Sequence, residues 1–82
     1  MEEIKINLPS FKEFRKIMNS SPDFYQPKET SKNTYEEISK AIENNEKIFA
    51  TGGYTLFGLV VAIRLENKQE FLIFKDFVES EW

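Results

Sequence analysis

Residues 54–78 read YTLFGLVVAIRLENKQEFLIFKDFV, two apolar runs separated by the polar segment Glu66-Asn67-Lys68-Gln69. Runs rich in β-branched and aromatic residues and bounded by turn formers signal strands, and two in succession signal a β-hairpin. Here the apolar residues are consecutive rather than alternating, so both faces of the hairpin carry them. A chain of 82 residues builds one modest core. What covers the second face is therefore the main functional question that the sequence raises.

A symmetric two-residue turn at Asn67-Lys68 pairs Leu65 with Glu70 and Ile63 with Leu72. In that register one face carries Phe57, Leu59, Val61, Ile63 and Leu65 with Leu72, Phe74 and Val78. The other carries Tyr54, Leu56, Val60 and Ala62 with Phe71, Ile73 and Phe77. The first face is the richer and is assigned to the core. Gly58 then falls opposite Phe77, where it either lets the ring cover bare backbone or marks a bulge.

Before the hairpin, Ile4, Ile6 and Leu8 alternate with Lys5 and Asn7, which predicts a strand over 3–8 that Pro9 ends. Ser10 followed by Glu13 is a capping box, and Phe11, Phe14, Ile17 and Met18 share one helical face, predicting a helix over 11–19. Residues 20–33 contain Pro22 and Pro27 among small polar side chains and read as a long connection carrying Phe24 and Tyr25. Thr34 with Glu37 forms a second capping box; Tyr35, Ile38, Ala41 and Ile42 predict a helix over 34–44, stopped at Asn44-Asn45. A short strand over 47–51 and a tight turn at Gly52-Gly53 lead into the hairpin. The expected fold class is α+β. One domain, 1–82, would hold an antiparallel β-meander of 47–51, 54–65 and 69–78, with both helices packed on one face and the 3–8 strand added at an edge beside either outer strand.

Composition narrows the function. Cysteine and histidine are absent, which removes disulfides, thiolate nucleophiles, the commonest general base and the usual transition-metal ligands. Ser39 and Lys40 are adjacent on a helix and point apart, so they form no dyad; Glu36 and Glu37 diverge in the same way. Thr51-Gly52-Gly53-Tyr54 has neither nucleotide-fingerprint spacing nor a P-loop lysine. The expectation is a non-enzymatic protein without cofactor or metal. A net charge of −3 with interspersed signs disfavours nucleic acid, and a sheet presenting Tyr54, Phe71 and Phe77 as stacking planes has only Arg64 and Lys75 beside them. No apolar run is long enough to span a membrane, and the start lacks the order of a secretory signal, which points to the cytoplasm.

These exclusions leave a small protein-binding module, an inhibitor or accessory protein that occludes a partner's functional surface. The Lys-, Asn-, Glu- and Ile-rich usage suits a low-GC bacterium or its phages. The partner is another protein or, in a homodimer acting as a structural or adaptor unit, a second copy. Two contact surfaces are expected: the sheet face of Leu56, Val60, Phe71, Ile73 and Phe77, and the loop anchor of Phe24 and Tyr25 with Lys28 at its charged rim. The competing expectation is that this loop itself folds over the second face. On the sheet-face reading, Ile73→Lys should separate a dimer without unfolding the chain.

Overall fold

The computed structural model describes residues 2–54 and 58–79. In chain order it contains β1 (Glu2–Ile4), α1 (Phe11–Met18), α2 (Lys28–Glu43), β2 (Ile48–Tyr54), β3 (Val60–Leu65) and β4 (Glu70–Phe74), with a 3-10 turn at Lys75–Phe77. The strands form an antiparallel sheet in the order β1-β2-β3-β4. The fold is α+β, a meander with an added N-terminal edge strand.

α1 follows its sequence signals. Ser10 is extended, and its hydroxyl oxygen accepts the Glu13 amide at 3.3 Å, satisfying one donor that the first helical turn leaves orphaned. Phe14 and Met18 are buried, with Phe11 and Ile17 packed at the margin of the core.

α2 begins at Lys28, well before the expected residue 34, so much of the long connection is helix. The second capping box does not form, because Thr34 lies inside the helix and is buried. The buried stripe of α2 runs Ser31, Thr34, Ile38 and Ala41. Its first members are small polar residues, which a search for apolar spacing passes over. Ser31 is tolerated there because its hydroxyl donates to Gln26 Oε1 at 2.9 Å within a buried pair. Pro27 does not prevent the helix: it precedes the first helical residue, where no intrahelical N–H is required, and its carbonyl accepts the Ser31 amide at 2.9 Å. The C-terminus stops at Asn44-Asn45 as expected. Asn45 adopts φ 55°, and the amides of Asn45 and Glu46 donate to Ile42 and Ala41 in a Schellman arrangement.

The Tyr35 hydroxyl donates to the Pro9 carbonyl at 2.6 Å, which ties α2 to the start of α1. The rings of Phe11 and Phe14 meet Tyr35 edge-on, and Phe14 stacks at 4.8 Å from Phe77. This aromatic group joins the helices to the end of the sheet.

The sheet departs from expectation in two places. Gly52 and Gly53 are not a turn but part of β2, which continues past a bulge between Ala50 and Gly52. The chain turns later, with Gly58 at φ 71°, and β3 starts at Val60 rather than 54. Residues 55–57, expected in that strand, lie outside the described residues.

The second departure is the register of β3 with β4. Lys68 donates to the Leu65 carbonyl, Leu65 donates to Gln69, each at 2.9 Å, and Lys68 adopts φ 71°. The loop is thus Glu66, Asn67 and Lys68, a turn followed by a left-handed residue, not a symmetric pair. Ile63 pairs with Phe71 and Arg64 with Glu70. A shift of one residue moves every β4 side chain to the other face. Ile73 and Phe71 therefore join Val61, Ile63 and Leu65, while Leu72 and Phe74 join Val60 and Ala62.

The helix-covered row comprises Ile4, Ile48, Ala50, Val61, Ile63, Leu65 and Ile73, all buried in one cluster with Phe14, Met18, Ile38 and Ala41. Phe77, expected on the second face, is also in this cluster because the 3-10 turn carries it under Phe14.

The N-terminal segment touches both sides of the meander. β1 pairs with β2, and the next residues pair with the chain after β4: Ile6 bridges Val78, Asn7 donates to Phe77 at 2.8 Å, and Glu79 donates to Lys5 at 2.9 Å. This clasp covers the backbone beyond β4 and leaves the outer side of β4 itself as an edge.

Candidate functional site

The hydrogen-bonding phase of β4 defines what its edge offers. Leu65 donates to Gln69 and Lys75 donates to Leu59, so these are hydrogen-bonded pairs of the antiparallel ladder. By alternation, Phe71 and Ile73 also direct their amides and carbonyls toward β3. Glu70, Leu72 and Phe74 direct theirs outward, where the sheet has no further strand. The edge therefore presents backbone groups at the same residues whose side chains lie on the face away from the helices.

That face is half-covered. Phe49, Ala62, Arg64 and Leu72 are of intermediate burial, while Thr51, Gly52 and Glu70 are exposed. Thr51, Ala62, Glu70, Phe71 and Leu72 line a shallow depression of about 240 Å3 beside the β4 edge. A Cβ placed on Gly52 would meet nothing within 4 Å, so space above Ala62 is open. The Thr51 hydroxyl donates to the Ala62 carbonyl at 3.3 Å, holding the bulge against β3.

The face is closed near its end. Val60 and Phe74 are buried, and Phe24 from the α1–α2 connection packs on Phe74 with ring centroids 5.6 Å apart. The loop thus supplies part of the cover by itself. Its neighbour Tyr25 does not take part and is 71% exposed.

The residues expected on the apolar contact face do not assemble into one. Ile73 and Phe77 are core, Val60 is enclosed, and Phe71 lies on the helix side at the margin; Leu56 lies outside the described residues. Their place is taken by Phe49, Ala62, Arg64 and Leu72. A symmetric two-residue turn puts Leu72 in the core, whereas the three-residue loop pairs it with Ala62 on the open face, and Phe49 sits on a strand too short to show its orientation by alternation. Of the loop anchor, Phe24 is half-buried, Tyr25 is free, and Lys28 is the exposed first residue of α2.

Among the described residues no group of three or more carboxylates is placed to hold a metal ion, and no helix is long and apolar enough to cross a membrane. The only ion pair among them, Lys40 with Glu37 at 3.8 Å, is surface-exposed on the lysine side. Comparison with protein-family models, curated proteins and solved structures found no match. The functional reading accordingly rests on the chemistry of the chain.

Proposed function

We propose that this protein is a non-enzymatic binding module that receives an extended segment of another protein along β4, as an added strand. The observation that carries the reading is the outward backbone phase of Glu70, Leu72 and Phe74 on an edge strand, next to the open depression at Ala62 and Leu72. Strand addition draws affinity from main-chain hydrogen bonds and specificity from alternate side chains that enter adjoining pockets. Leu72 and Ala62 would receive one apolar side chain of the partner, and Arg64 and Glu70 a polar flank. Exposed Tyr25, next in sequence to the Phe24 that packs on Phe74 of β4, is a second anchor. In this reading the chain acts inside a bacterial cell, as an accessory or inhibitory protein that occupies a partner's strand and withholds it.

The test compares the wild type with Leu72→Pro. That substitution removes an outward N–H and leaves the β3–β4 ladder bonds in place, since proline is tolerated on the free side of an edge strand. Partners are captured from lysate of the native host and sized by light scattering. A captured protein that Leu72→Pro loses, with the circular-dichroism melt retained, supports the reading. Capture unaffected by Leu72→Pro overturns it. A second copy of the chain at this edge would instead appear as a purified homodimer that Leu72→Pro converts to monomer.

A further inference from the structure

A second feature lies away from the sheet. Phe11, Lys12, Arg15, Lys16 and Asn19 of α1 and its C-cap, with Lys28 of α2, line a cleft of about 530 Å3. No carboxylate lines it, although acidic residues outnumber basic ones by 14 to 11 in the chain. Among the described residues none of these cations is within ion-pairing distance of an acid.

Helix electrostatics accounts for only part of this grouping. Arg15 and Lys16 are in the last turn of α1, where cations complement the negative end of the dipole. Lys12 and Lys28 are in the first turns of α1 and α2, where a cation faces amides of the same polarity and is disfavoured. Pro27 provides α2 with no side-chain cap, so its first-turn amides add to the positive field. Arg15 Nε is buried without a hydrogen-bond partner. Its desolvation is relieved if the guanidinium turns toward an acceptor in the cleft. The placement of Lys12 and Lys28 and the unpartnered Arg15 Nε are unfavourable on their own, and one anion in the cleft offsets all three.

We propose that the cleft binds a compact, multiply charged phosphate compound, of the tripolyphosphate or nucleoside triphosphate kind. Its volume falls in the range of small-molecule sites. Three lysines supply point charges, and the arginine supplies a planar fork that matches phosphate oxygens. A long polyanion is disfavoured: Glu13 and Glu29, the exposed neighbours of Lys12 and Lys28, would repel a strand that continued beyond the cleft, as would the net charge of −3.

The experiment titrates the isotope-labelled full chain with inorganic tripolyphosphate and with ATP, by amide NMR and calorimetry. Saturable shifts confined to residues 11–19 and 28–31 are expected. The double variant Lys12→Gln, Lys28→Gln should raise Kd about tenfold or more, with an unchanged or higher melting temperature because both cations leave helix N-termini. Lys16→Gln, at an exposed position, gives the same readout if the double variant fails to fold. Absence of saturable shifts at millimolar ligand, or an affinity insensitive to these variants, overturns the proposal. Citrate binding as tightly as tripolyphosphate would overturn the phosphate assignment. A single-stranded oligonucleotide binding more tightly per phosphate would overturn the compact ligand.

Discussion

Both faces of the sheet carry apolar residues, and they are covered to different extents. On one, Val61, Ile63, Leu65 and Ile73 are sealed beneath α1 and α2; on the other, Phe49, Ala62 and Leu72 are only partly covered. Leu72 and Ile73 are adjacent and similar in size and hydrophobicity, so hydrophobicity alone cannot choose between them. What chooses is the loop of Glu66, Asn67 and Lys68, which fixes the register and so decides which of the two meets the helices. Small differences in turn geometry thus outweigh large amounts of apolar surface in deciding which residues remain available for contact.

That contrast is testable at several strengths. The largest effect is expected at Ile73, which has 0% exposure. Ile73→Lys buries an unpaired charge and should lower stability by more than about 4 kcal/mol, abolishing the urea unfolding transition at ambient temperature. This replaces the expectation that the same substitution separates a dimer without unfolding. A folded Ile73→Lys would restore the symmetric register.

A smaller loss is expected where the loop covers the second face. Phe24→Ala removes the ring from Phe74 and should lower unfolding free energy by about 1–3 kcal/mol. Tyr25→Ala, at a free ring, should leave the same urea transition in place. Equal losses would show that the two rings share one role.

The turn can be tuned directly. Lys68 holds a positive φ that disfavours side chains, so Lys68→Gly should stabilise the protein by up to about 1 kcal/mol, read as a raised melting temperature. Destabilisation by glycine would contradict the left-handed geometry on which the register depends. The smallest effect belongs to Leu72→Lys, expected within about 0.5 kcal/mol of wild type because its head reaches solvent along the open face. A cooperative loss of stability there would mean that this face is covered.

Legibility from sequence varied with the kind of signal. α1 was readable because a side-chain cap and an apolar stripe agree; the end of α2 was readable because Asn45 tolerates the left-handed conformation. The start of α2 was not, because Ser31 and Thr34 occupy its buried face and become acceptable only through a tertiary partner such as Gln26. Gly52 and Gly53 have the composition of a turn yet lie in a strand, where pairing with Ala62 and Val61 overrides local preference. Of the candidate site, Tyr25 was legible as a free aromatic in the connection. The β4 edge was not, since its outward groups depend on ladder phase, and the cationic cleft was not, since the local signals around Lys28 are those of a loop while the structure sets it at the head of α2.

The sequence by itself determined the α+β class, the hairpin as the centre of the fold, the first helix and its cap, and the absence of thiol and imidazole chemistry. Those follow from local periodicity, capping residues and composition, which act over a few neighbouring positions. Tertiary structure alone decided which face of β4 is core, that Phe24 rather than a partner covers Phe74, and that the N-terminal segment clasps the residues after β4. These outcomes depend on a one-residue register and on contacts between segments distant in the chain, and no local pattern carries that information.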